Sequence, residues 1–273
     1  MRNKASTGIF MLAYNGARRA GLLELGWFRR LFLSSYFLYK RWYEDPFWAL
    51  VKRHPGLFAG GDVLDIGANI GYTASVFAAV CKPPAKIYAF EPDEASCGTL
   101  REIVQRKGLA GTVEIFNMAV GAAEGTLEFW HNDEHSADHR VVTEEFKSAQ
   151  LDGSKITIVP VASVDSFVAT HSLANVAFIK IDVQGYELAV CEGMKQTLEK
   201  CPGVTVAFEY APDGMRELGF DPMALLHFFR ARGFQLHILT RSGIEAPAND
   251  GSINAATERP GYVDVLCSRK ALA

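Results

Sequence analysis

A carboxylate, an amide and two glycines lie close together in the stretch from Val63 to Thr73, which reads VLDIGANIGYT. An apolar run typical of a strand carries Asp65 near its end and leads into a turn that contains Gly67 and Gly71. A helical segment of small residues follows the turn. Such a strand–turn–helix unit presents backbone N–H groups and a helix N-terminus to a polar ligand. The stretch therefore predicts the first half of a nucleotide-binding crossover.

The turn favours a cofactor that has no pyrophosphate. A dinucleotide fingerprint needs G-x-G-x-x-G so that a pyrophosphate can approach the helix closely, but Asn69 and Tyr72 stand at the second and third glycine positions. S-adenosylmethionine has no phosphate and offers an ammonium, a carboxylate and a ribose diol. We expect Asp65 to meet the ammonium and the N–H groups of the turn to meet the carboxylate. The alternative for an isolated glycine turn is a strand-to-helix connection that binds no ligand.

An acid for the ribose diol is expected at the end of the next strand. Glu91 fills that position in the sequence KIYAFEPD, about 20 residues downstream as the general fold predicts. The third strand ends in Asn117-Met118-Ala119, a segment whose side chain and backbone are placed to reach the adenine. The candidate cofactor-binding residues are therefore Asp65, Gly67, Asn69, Gly71, Thr73, Glu91, Pro92, Asn117 and Ala119.

Two more carboxylates end apolar strands in the second half of the chain. Asp182 lies in IKIDVQGYE and Glu209 in VAFEY. A carboxylate at the end of a hydrophobic strand is costly to bury without a function or a partner, so both are candidates for chemistry. The structural alternatives are that Asp182 caps the following turn through Gly185 and that Glu209 forms a salt bridge to a loop.

Strands and helices alternate along most of the chain. The predicted strands are Val63–Ile66, Lys86–Phe90, Val113–Asn117, Gly125–Trp130, Ile156–Val161, Phe178–Asp182, Val204–Tyr210, Gln235–Thr240 and Tyr262–Ser268. The predicted helices are Tyr72–Cys81, one from the Asp93 cap to about Lys107, Glu187–Glu199 and one from the Asp221 cap to Arg232. Residues 131–154 are polar and irregular, and we interpret them as a loop over the site. This alternation predicts an α/β fold with a mostly parallel twisted sheet, helices on both faces and a terminal antiparallel hairpin.

The ordered series of motifs resembles the FkbM-type methyltransferases, a family of S-adenosylmethionine-dependent O-methyltransferases. The resemblance runs from about Gly61 to Lys270 and rests on VLDIGANIGYT, AFEPD, NMAVG, VPVASVDSF, and IKIDVQGYEL followed by CEGM. It implies a Rossmann-like class I methyltransferase fold. In the last motif Gln184 stands where the family often has an acid, and Tyr186 replaces a small residue. These two departures concern the contacts with the substrate.

By this resemblance, the reaction is methyl transfer to a hydroxyl of a sugar, a glycolipid or a natural product. An in-line attack on the sulfonium methyl needs proximity, an apolar site and removal of the hydroxyl proton. The candidate bases are Asp182, Glu209 and a histidine, of which His135 is preferred because it lies centrally in the polar loop. Some O-methyltransferases of this fold use a divalent cation, but Asp182 and Glu209 are too few to predict one.

Two other functions stay open at this point. A nicotinamide-dependent oxidoreductase is the enzymatic alternative, weakened by Asn69 and Tyr72 in the glycine turn. The other alternative is a catalytically inactive, methyltransferase-like module that binds a membrane or a partner.

Composition limits the classes of partner and compartment. The chain has 273 residues, a net charge of -3 and 49% hydrophobic residues, so it has ample material for a core and no excess of basic charge to attract a nucleic acid. The five cysteines have no metal-ligand spacing, which suits a reducing cytoplasm. The apolar runs near the N-terminus are far shorter than the roughly 20 residues that span a bilayer.

Residues 1–53 differ from residues 54–273, which we interpret as the catalytic domain. The first segment holds ten Lys and Arg against three acids, a net charge of +7. An aromatic stripe at helical spacing predicts added N-terminal helices, and it consists of Phe28, Phe32, Tyr36, Tyr39 and Tyr43. One interpretation is a helix that docks this stripe on the catalytic domain as a lid. The other is a basic amphipathic helix on the inner surface of an anionic membrane.

Overall fold

Apolar runs bounded by glycine, proline and capping residues form the secondary structure. The computed structural model of the chain describes residues 25–131, 139–147 and 155–272. Within these ranges the strands are β1 (Asp62–Ile66), β2 (Ile87–Phe90), β3 (Val113–Phe116), β4 (Ala119–Val120), β5 (Gly125–Trp130), β6 (Arg140–Val141), β7 (Ile156–Ala162), β8 (Val176–Ile181), β9 (Thr205–Tyr210), β10 (Gln235–Thr240), β11 (Gly243–Pro247) and β12 (Val263–Ser268). The α-helices are α1 (Gly26–Tyr39), α2 (Phe47–Arg53), α3 (Tyr72–Phe77), α4 (Glu94–Arg106), α5 (Glu144–Lys147), α6 (Val164–Thr170), α7 (Glu187–Glu192), α8 (Lys195–Lys200), α9 (Pro212–Glu217), α10 (Pro222–Arg230) and α11 (Asp250–Thr257).

The main sheet has the strand order β11-β10-β12-β9-β8-β1-β2-β3. Strands β3, β2, β1, β8 and β9 run parallel to one another, and β12 lies antiparallel between β9 and β10. Apolar side chains cover both faces, with Leu64 and Ile66 of β1 in one core layer and Val63 in the other. The predicted α/β fold with a mostly parallel sheet is confirmed. The order of the strands reverses at β1 and β8, which is where ligands bind in sheets of this kind.

The predicted terminal hairpin is partly confirmed. Its two strands pair antiparallel as β10 and β12, but they are not joined by a tight turn. Strand β11 pairs with the outer edge of β10, and α11 follows it, with Asn249 capping the helix through a hydrogen bond from the Ser252 N–H. The buried side chain of Ile253 anchors α11 to the core.

The single helix predicted over Glu187–Glu199 is wrong, because α7 and α8 are separate helices. Gly193 lies between them, and a Cβ at this position would clash with the carbonyl oxygen of Gly121. The second helix has its own cap, since the Asp165 carboxylate accepts hydrogen bonds from the N–H groups of Gln196 and Thr197. The break therefore results from a contact between residues that are far apart in sequence.

A second, four-stranded sheet has the order β4-β7-β5-β6. Strands β5 and β7 pair antiparallel along their length, from Gly125 opposite Val161 to Trp130 opposite Ile156. The polar loop expected over residues 131–154 is wrong for residues 139–147, which form β6 and α5. Val141 and Phe146 give this part of the chain an apolar, buried side.

The predicted N-terminal helices are present as α1 and α2, joined by a π-helical turn over Lys40–Glu44. The carboxylate of Asp45 accepts a hydrogen bond from the Trp48 N–H at the start of α2. Leu50 of α2 is fully buried in the core layer that also holds Phe77 and Phe178. No helix in the described part of the chain is long and apolar enough to cross a membrane. The boundary after residue 53 stays a prediction, although α2 on its N-terminal side belongs to the packed core.

Candidate active site

A cleft of about 340 Å³ opens at the carboxyl ends of β1, β2, β8 and β9. The glycine turn after β1 forms one part of its wall, and the segments after β2 and β8 form others. The second sheet contributes Phe129 and Val141, and the N-terminal segment contributes Tyr36 and Lys40 at another side. The volume is that of a pocket for a small molecule.

The glycine turn brings the ends of β1 and β8 into contact. Gly67 has a φ of +75°, and a Cβ there would overlap the carbonyl oxygen of Asp182. Asn69 also has a positive φ of 48°, which asparagine tolerates better than most residues. Its side-chain oxygen accepts a hydrogen bond from the Ile70 N–H over 2.8 Å. Only glycine at position 67 lets the two strand ends approach this closely.

Glu91 is held in place by backbone donors at the cleft wall. Its Oε2 accepts a hydrogen bond from the Asn69 N–H over 2.8 Å, and its Oε1 accepts one from the Asp93 N–H over 2.9 Å. The residue is only 6% exposed, and this burial raises the pKa of its carboxyl group to about 7. Each carboxylate oxygen can accept a second hydrogen bond, so the group suits a pair of hydroxyl donors.

Asp65 lies behind the cleft wall rather than in it. The residue is fully buried, and its Oδ2 accepts a hydrogen bond from the Thr73 hydroxyl over 2.7 Å. Its Oδ1 lies 3.5 Å from the Nζ of Lys180. Thr73 and Lys180 line the cleft in its place. The contact of Asp65 with an ammonium stays a prediction, and the described geometry gives Asp65 the role of orienting these two side chains.

Lys180 is the central residue that sequence reasoning missed. Its Nζ donates a hydrogen bond to the Gly67 carbonyl over 2.8 Å and lies 3.4 Å from Asp182 Oδ2. Burial lowers the pKa of its ammonium, but Asp182 and Asp65 outweigh burial and raise it above the usual value. The signal was a single charged residue inside the apolar strand β8, which ordinary alternation reads as an outward-facing side chain.

The carboxyl ends of β8 and β9 present a linked polar group. The Gln184 Nε2 donates to Asp182 Oδ1 over 3.0 Å and to Glu209 Oε1 over 3.2 Å, so the amide bridges the two predicted acids. On β12, Asp264 stands directly opposite Glu209 in the strand register and also lines the cleft. Burial disfavours ionisation of Asp182, but Lys180 and Lys40 outweigh it and hold the pKa of that carboxyl below its usual range.

The turn after β8 is capped by Glu187 rather than by Asp182. The fully buried Glu187 accepts hydrogen bonds through Oε1 from the N–H groups of Val183 and Gly185, each over 3.1 Å. Burial raises the pKa of the Glu187 carboxyl to about 7. The structural alternative for Asp182, capping through Gly185, is therefore taken by another residue, and the Asp182 side chain is 37% exposed in the cleft.

Of the remaining predicted cofactor-binding residues, some line the cleft and others hold the lining residues in place. Pro92 and Ala119 line the cleft. Asn117 supports the wall instead, because its Nδ2 donates hydrogen bonds to the carbonyls of Glu91 and Pro92. Gly71 precedes α3 with a φ of +87° and supports the turn. Among the predicted catalytic residues, His135 lies outside the described residues.

Two other histidines, His131 and His139, lie close to Asp93, two residues after Glu91. His131 Nδ1 lies 2.9 Å from Asp93 Oδ1, and its Nε2 lies 2.7 Å from the Thr157 hydroxyl. His139 Nε2 lies 3.8 Å from the same carboxylate oxygen, and His139 lines the cleft. In the described ranges, these three side chains are the group whose potential metal-ligand atoms lie within 4.8 Å of one another. The hydrogen bond between His131 and Asp93 ties the end of β5 in the second sheet to the N-cap of α4.

Comparison with protein families gives a match over most of this region. The profile described as the methyltransferase FkbM domain matches residues 65–236. The matched range begins at Asp65 near the end of β1 and includes Glu91, Asp182 and Glu209.

Two curated proteins and one solved structure are similar to the chain. The hexuronic acid methyltransferase AglP of Haloferax volcanii is 29% identical over 154 residues, which cover 56% of this chain and 58% of AglP. The 2-O-methyltransferase NoeI of Sinorhizobium fredii is 27% identical over 149 residues, which cover 50% of this chain and 59% of NoeI. The crystal structure of an FkbM methyltransferase from Methylobacillus flagellatus has a TM-score of 0.50 at 15% identity and covers 82% of this chain and 48% of that one. The matches thus span less than two thirds of each relative, and the structural likeness concerns the fold.

Proposed function

The chain belongs to the FkbM methyltransferase family, and from this premise we propose that it transfers a methyl group from S-adenosylmethionine to a hydroxyl of a sugar. The observation that carries the proposal is the juxtaposition of two polar groups in one cleft. Glu91 and the glycine turn form one group, and the pair Asp182 and Glu209, bridged by Gln184, forms the other. One group suits a nucleoside, and the other suits a hydroxyl-bearing acceptor.

The cofactor half of the cleft fits S-adenosylmethionine by the chemistry of its donors and acceptors. Glu91 offers carboxylate lone pairs to a ribose diol. The N–H groups of Gly67, Ala68 and Asn69 already donate to Phe90 and Glu91, so the turn contributes its shape to this half rather than free donors for the cofactor carboxylate. Bound here, the cofactor supplies an electrophilic methyl on a sulfonium. The chain's own contribution is to hold the nucleoside between Glu91, Pro92 and Ala119 and to exclude a pyrophosphate by the side chains of Asn69 and Tyr72.

The acceptor half suits an alcohol that must lose a proton as it is methylated. Asp182 is ionised at neutral pH because Lys180 stabilises its charge, so it can accept a hydrogen bond from the acceptor hydroxyl and orient the oxygen. A carboxylate with a low pKa is a weak base, so positioning and charge contribute more here than basicity. Glu209, linked through Gln184, is the second acceptor for the proton.

A sugar is the acceptor class that the lining favours. Gln184, Glu209, Tyr262 and Asp264 give this half several hydrogen-bonding groups, which match a molecule that carries several hydroxyls. The names of the relatives agree with this class, since one is described as a hexuronic acid methyltransferase and the other as a 2-O-methyltransferase. Membership of the family argues against the nicotinamide-dependent alternative.

Calorimetry and methyl transfer together test the proposal. We expect S-adenosylhomocysteine to bind the purified full chain and NAD not to bind. We also expect transfer of a labelled methyl group to hexose or hexuronic acid glycosides. The methyl ether product is identified by mass spectrometry. Cofactor binding without transfer to any such glycoside would support the catalytically inactive binding module instead. Binding of NAD with no binding of S-adenosylhomocysteine would overturn the cofactor assignment.

A further inference from the structure

Helix α1 exposes an apolar stripe on its outward side. Trp27, Leu31, Leu38 and Trp42 are 66%, 60%, 55% and 60% exposed. Their spacings of four, seven and four residues place them on one face of the helix and its π-helical continuation. Large side chains in a contiguous exposed row are uncommon on soluble surfaces and mark interaction sites. This stripe lies on a different side of the helix from the aromatic stripe predicted at the outset.

The other side of α1 is already occupied by the domain. Phe37 packs edge-to-face on Tyr72 with ring centroids 5.4 Å apart. Tyr36 and Lys40 line the cleft. The helix is therefore held on the domain by its inner side. The described ring contacts of the outward stripe are local ones: the rings of Trp27 and Phe28 have centroids 5.7 Å apart, and the guanidinium of Arg41 lies 5.6 Å from the centroid of Trp42.

A second pocket of about 380 Å³ adjoins the stripe, between α1, α3 and α4. Its cations are Arg41, Arg106 and Lys107, and its other described lining residues include no carboxylate. We call it the cationic pocket. Phe37 and Trp48 give it aromatic walls, so it combines three positive charges with apolar surface.

The three cations of the cationic pocket lie close together, and no carboxylate is among the described residues that line the pocket. The guanidinium of Arg41 lies 3.6 Å from the centroid of Trp48, and its buried Nε has no hydrogen-bond partner among the described residues. Burial lowers the pKa of Lys107, and Arg106 and Arg41 lower it further. Arg106 forms an ion pair with Glu102, whose Oε1 lies 3.8 Å from Nη1, and Glu102 is outside the lining of the pocket. An anion bound here would gain from all three cations.

Leu38 joins the two features, because it lines the cationic pocket and also belongs to the exposed stripe. We propose that the cationic pocket binds the phosphate headgroup of a membrane lipid while the exposed stripe of α1 enters the apolar boundary of the bilayer. The chain then docks on an anionic membrane surface through α1. A free phosphate would use only the pocket, whereas a lipid uses both the pocket and the stripe, with Trp27 and Trp42 at the depth that tryptophan favours.

Docking of this kind determines where the cleft faces. Tyr36 and Lys40 of the same helical segment line the cleft, so a docked α1 holds the cleft beside the membrane surface. Under the proposed function, this position suits an acceptor sugar that is itself carried by a lipid.

Vesicle binding of the full chain tests the proposal. We expect co-sedimentation with vesicles of phosphatidylcholine and phosphatidylglycerol, weak binding to phosphatidylcholine alone, and loss of binding as salt rises. Arg106→Gln combined with Lys107→Gln should weaken the binding at least tenfold. The matched control is Lys195→Gln combined with Lys200→Gln, because it removes the same charge from α8, whose Leu198 packs in the opposite core layer. It should leave vesicle binding unchanged.

The stripe has its own pair of variants. Trp27→Ser combined with Trp42→Ser should weaken binding to the anionic vesicles about tenfold or more. Ile158→Ser is the control, since Ile158 is 73% exposed on β7 and lies in the second sheet. None of the positions changed in the four variants lines the cleft of the candidate active site, so the affinity for S-adenosylhomocysteine should stay unchanged in all four.

Three outcomes would overturn the docking assignment. Binding to phosphatidylcholine vesicles as strong as binding to the anionic vesicles would show that the anionic headgroup has no role. Competition by glycerol phosphate at concentrations equal to those of the lipid would make the pocket a site for a soluble phosphate. Absence of vesicle binding by a chain that binds S-adenosylhomocysteine normally would refute docking on a membrane and leave the proposed function intact. A chain that binds vesicles and does not bind S-adenosylhomocysteine would support the docking and refute the proposed function.

Discussion

At the scale of single residues, the cleft depends on carboxylates whose environments differ. Burial raises the pKa of Glu91 to about 7, whereas Lys180 and its neighbours hold the pKa of Asp182 low in spite of burial. Divergent pKa values within one site are typical of groups with different tasks. Glu91 is built to accept hydrogen bonds from a nucleoside, and Asp182 is built to stay charged beside the acceptor.

Replacement of Glu91 tests the nucleoside half. Glu91→Ala removes charge-assisted hydrogen bonds worth about 1.5–3 kcal/mol, so the affinity for S-adenosylhomocysteine should fall at least tenfold by calorimetry. Glu94→Ala, on the exposed start of α4, is the control and should bind normally. The wild-type affinity should also fall as the pH drops below about 7, since the carboxylate then gains a proton. Unchanged affinity in Glu91→Ala would remove the diol assignment.

Replacement of Asp182 tests the acceptor half. Asp182→Asn keeps the shape and removes the charge, so turnover should fall by about 10²–10⁴ if Asp182 takes the acceptor proton. The affinity for S-adenosylhomocysteine should change little. Steady-state kinetics and calorimetry on the same preparation separate these two effects. Near-normal turnover would assign Asp182 a structural role, and Asp213→Asn on the exposed side of α9 serves as the control.

At the scale of elements, the sequence predicts the strands that carry the site better than the contacts between them. Strands β1, β2, β8 and β9 are short apolar runs with a carboxylate next to or directly after the last residue. Their length and the turn residues that flank them identify such runs as strands. The hydrogen bond between His131 and Asp93 joins residues 38 positions apart, and the break at Gly193 depends on Gly121. Neither has a local signal. Lys180 differs, because its charge inside an apolar strand is a local signal, but its partners Asp65 and Gly67 lie on β1 and in the turn after it.

The turn after β1 gives a test at this scale with an internal control. Gly67→Ala must adopt a φ of +75° and place a Cβ against the Asp182 carbonyl, so we expect a lower melting temperature and loss of S-adenosylhomocysteine binding. Gly98→Ala lies within α4 with open space around its Cβ. It should raise stability by about 0.5–1 kcal/mol, since glycine weakens a helix interior by that amount. Equal behaviour of the two variants would mean that the turn tolerates a side chain.

At the scale of the whole molecule, buried acids couple stability to pH. Burial raises the pKa of Asp45 to about 6 and those of Glu91 and Glu187 to about 7. Between the ordinary values near 4 and these raised values, the folded chain binds more protons than the unfolded chain. The free energy of unfolding should therefore be higher at pH 6 than at pH 8. Asp182 and Asp93 have lowered pKa values and act in the opposite direction only below pH 4.

Urea unfolding at pH 8 and pH 6 measures this dependence. Glu187 should contribute about 1 kcal/mol to the difference, because one pH unit corresponds to 1.36 kcal/mol for a group that changes its protonation. Glu187→Gln should flatten the dependence by that amount, whereas the exposed Glu199→Gln should not. An unchanged slope in Glu187→Gln would mean that Glu187 keeps its charge at neutral pH.

The last prediction concerns the N-terminal segment, which serves both the core and the proposed docking surface. Deletion of residues 1–44 removes α1 and keeps Asp45 and α2, so the shortened chain should fold and bind S-adenosylhomocysteine while losing its vesicle binding. Deletion of residues 1–53 also removes Phe47, Leu50 and Val51, which are buried in the core. Each buried apolar side chain contributes about 1.5–3 kcal/mol, and domains have only about 5–15 kcal/mol of stability in total. The longer deletion should therefore unfold the domain or lower its melting temperature steeply, as seen by circular dichroism. Equal stability of the two shortened chains would restore a domain boundary at residue 53, and unfolding of both would make α1 part of the core.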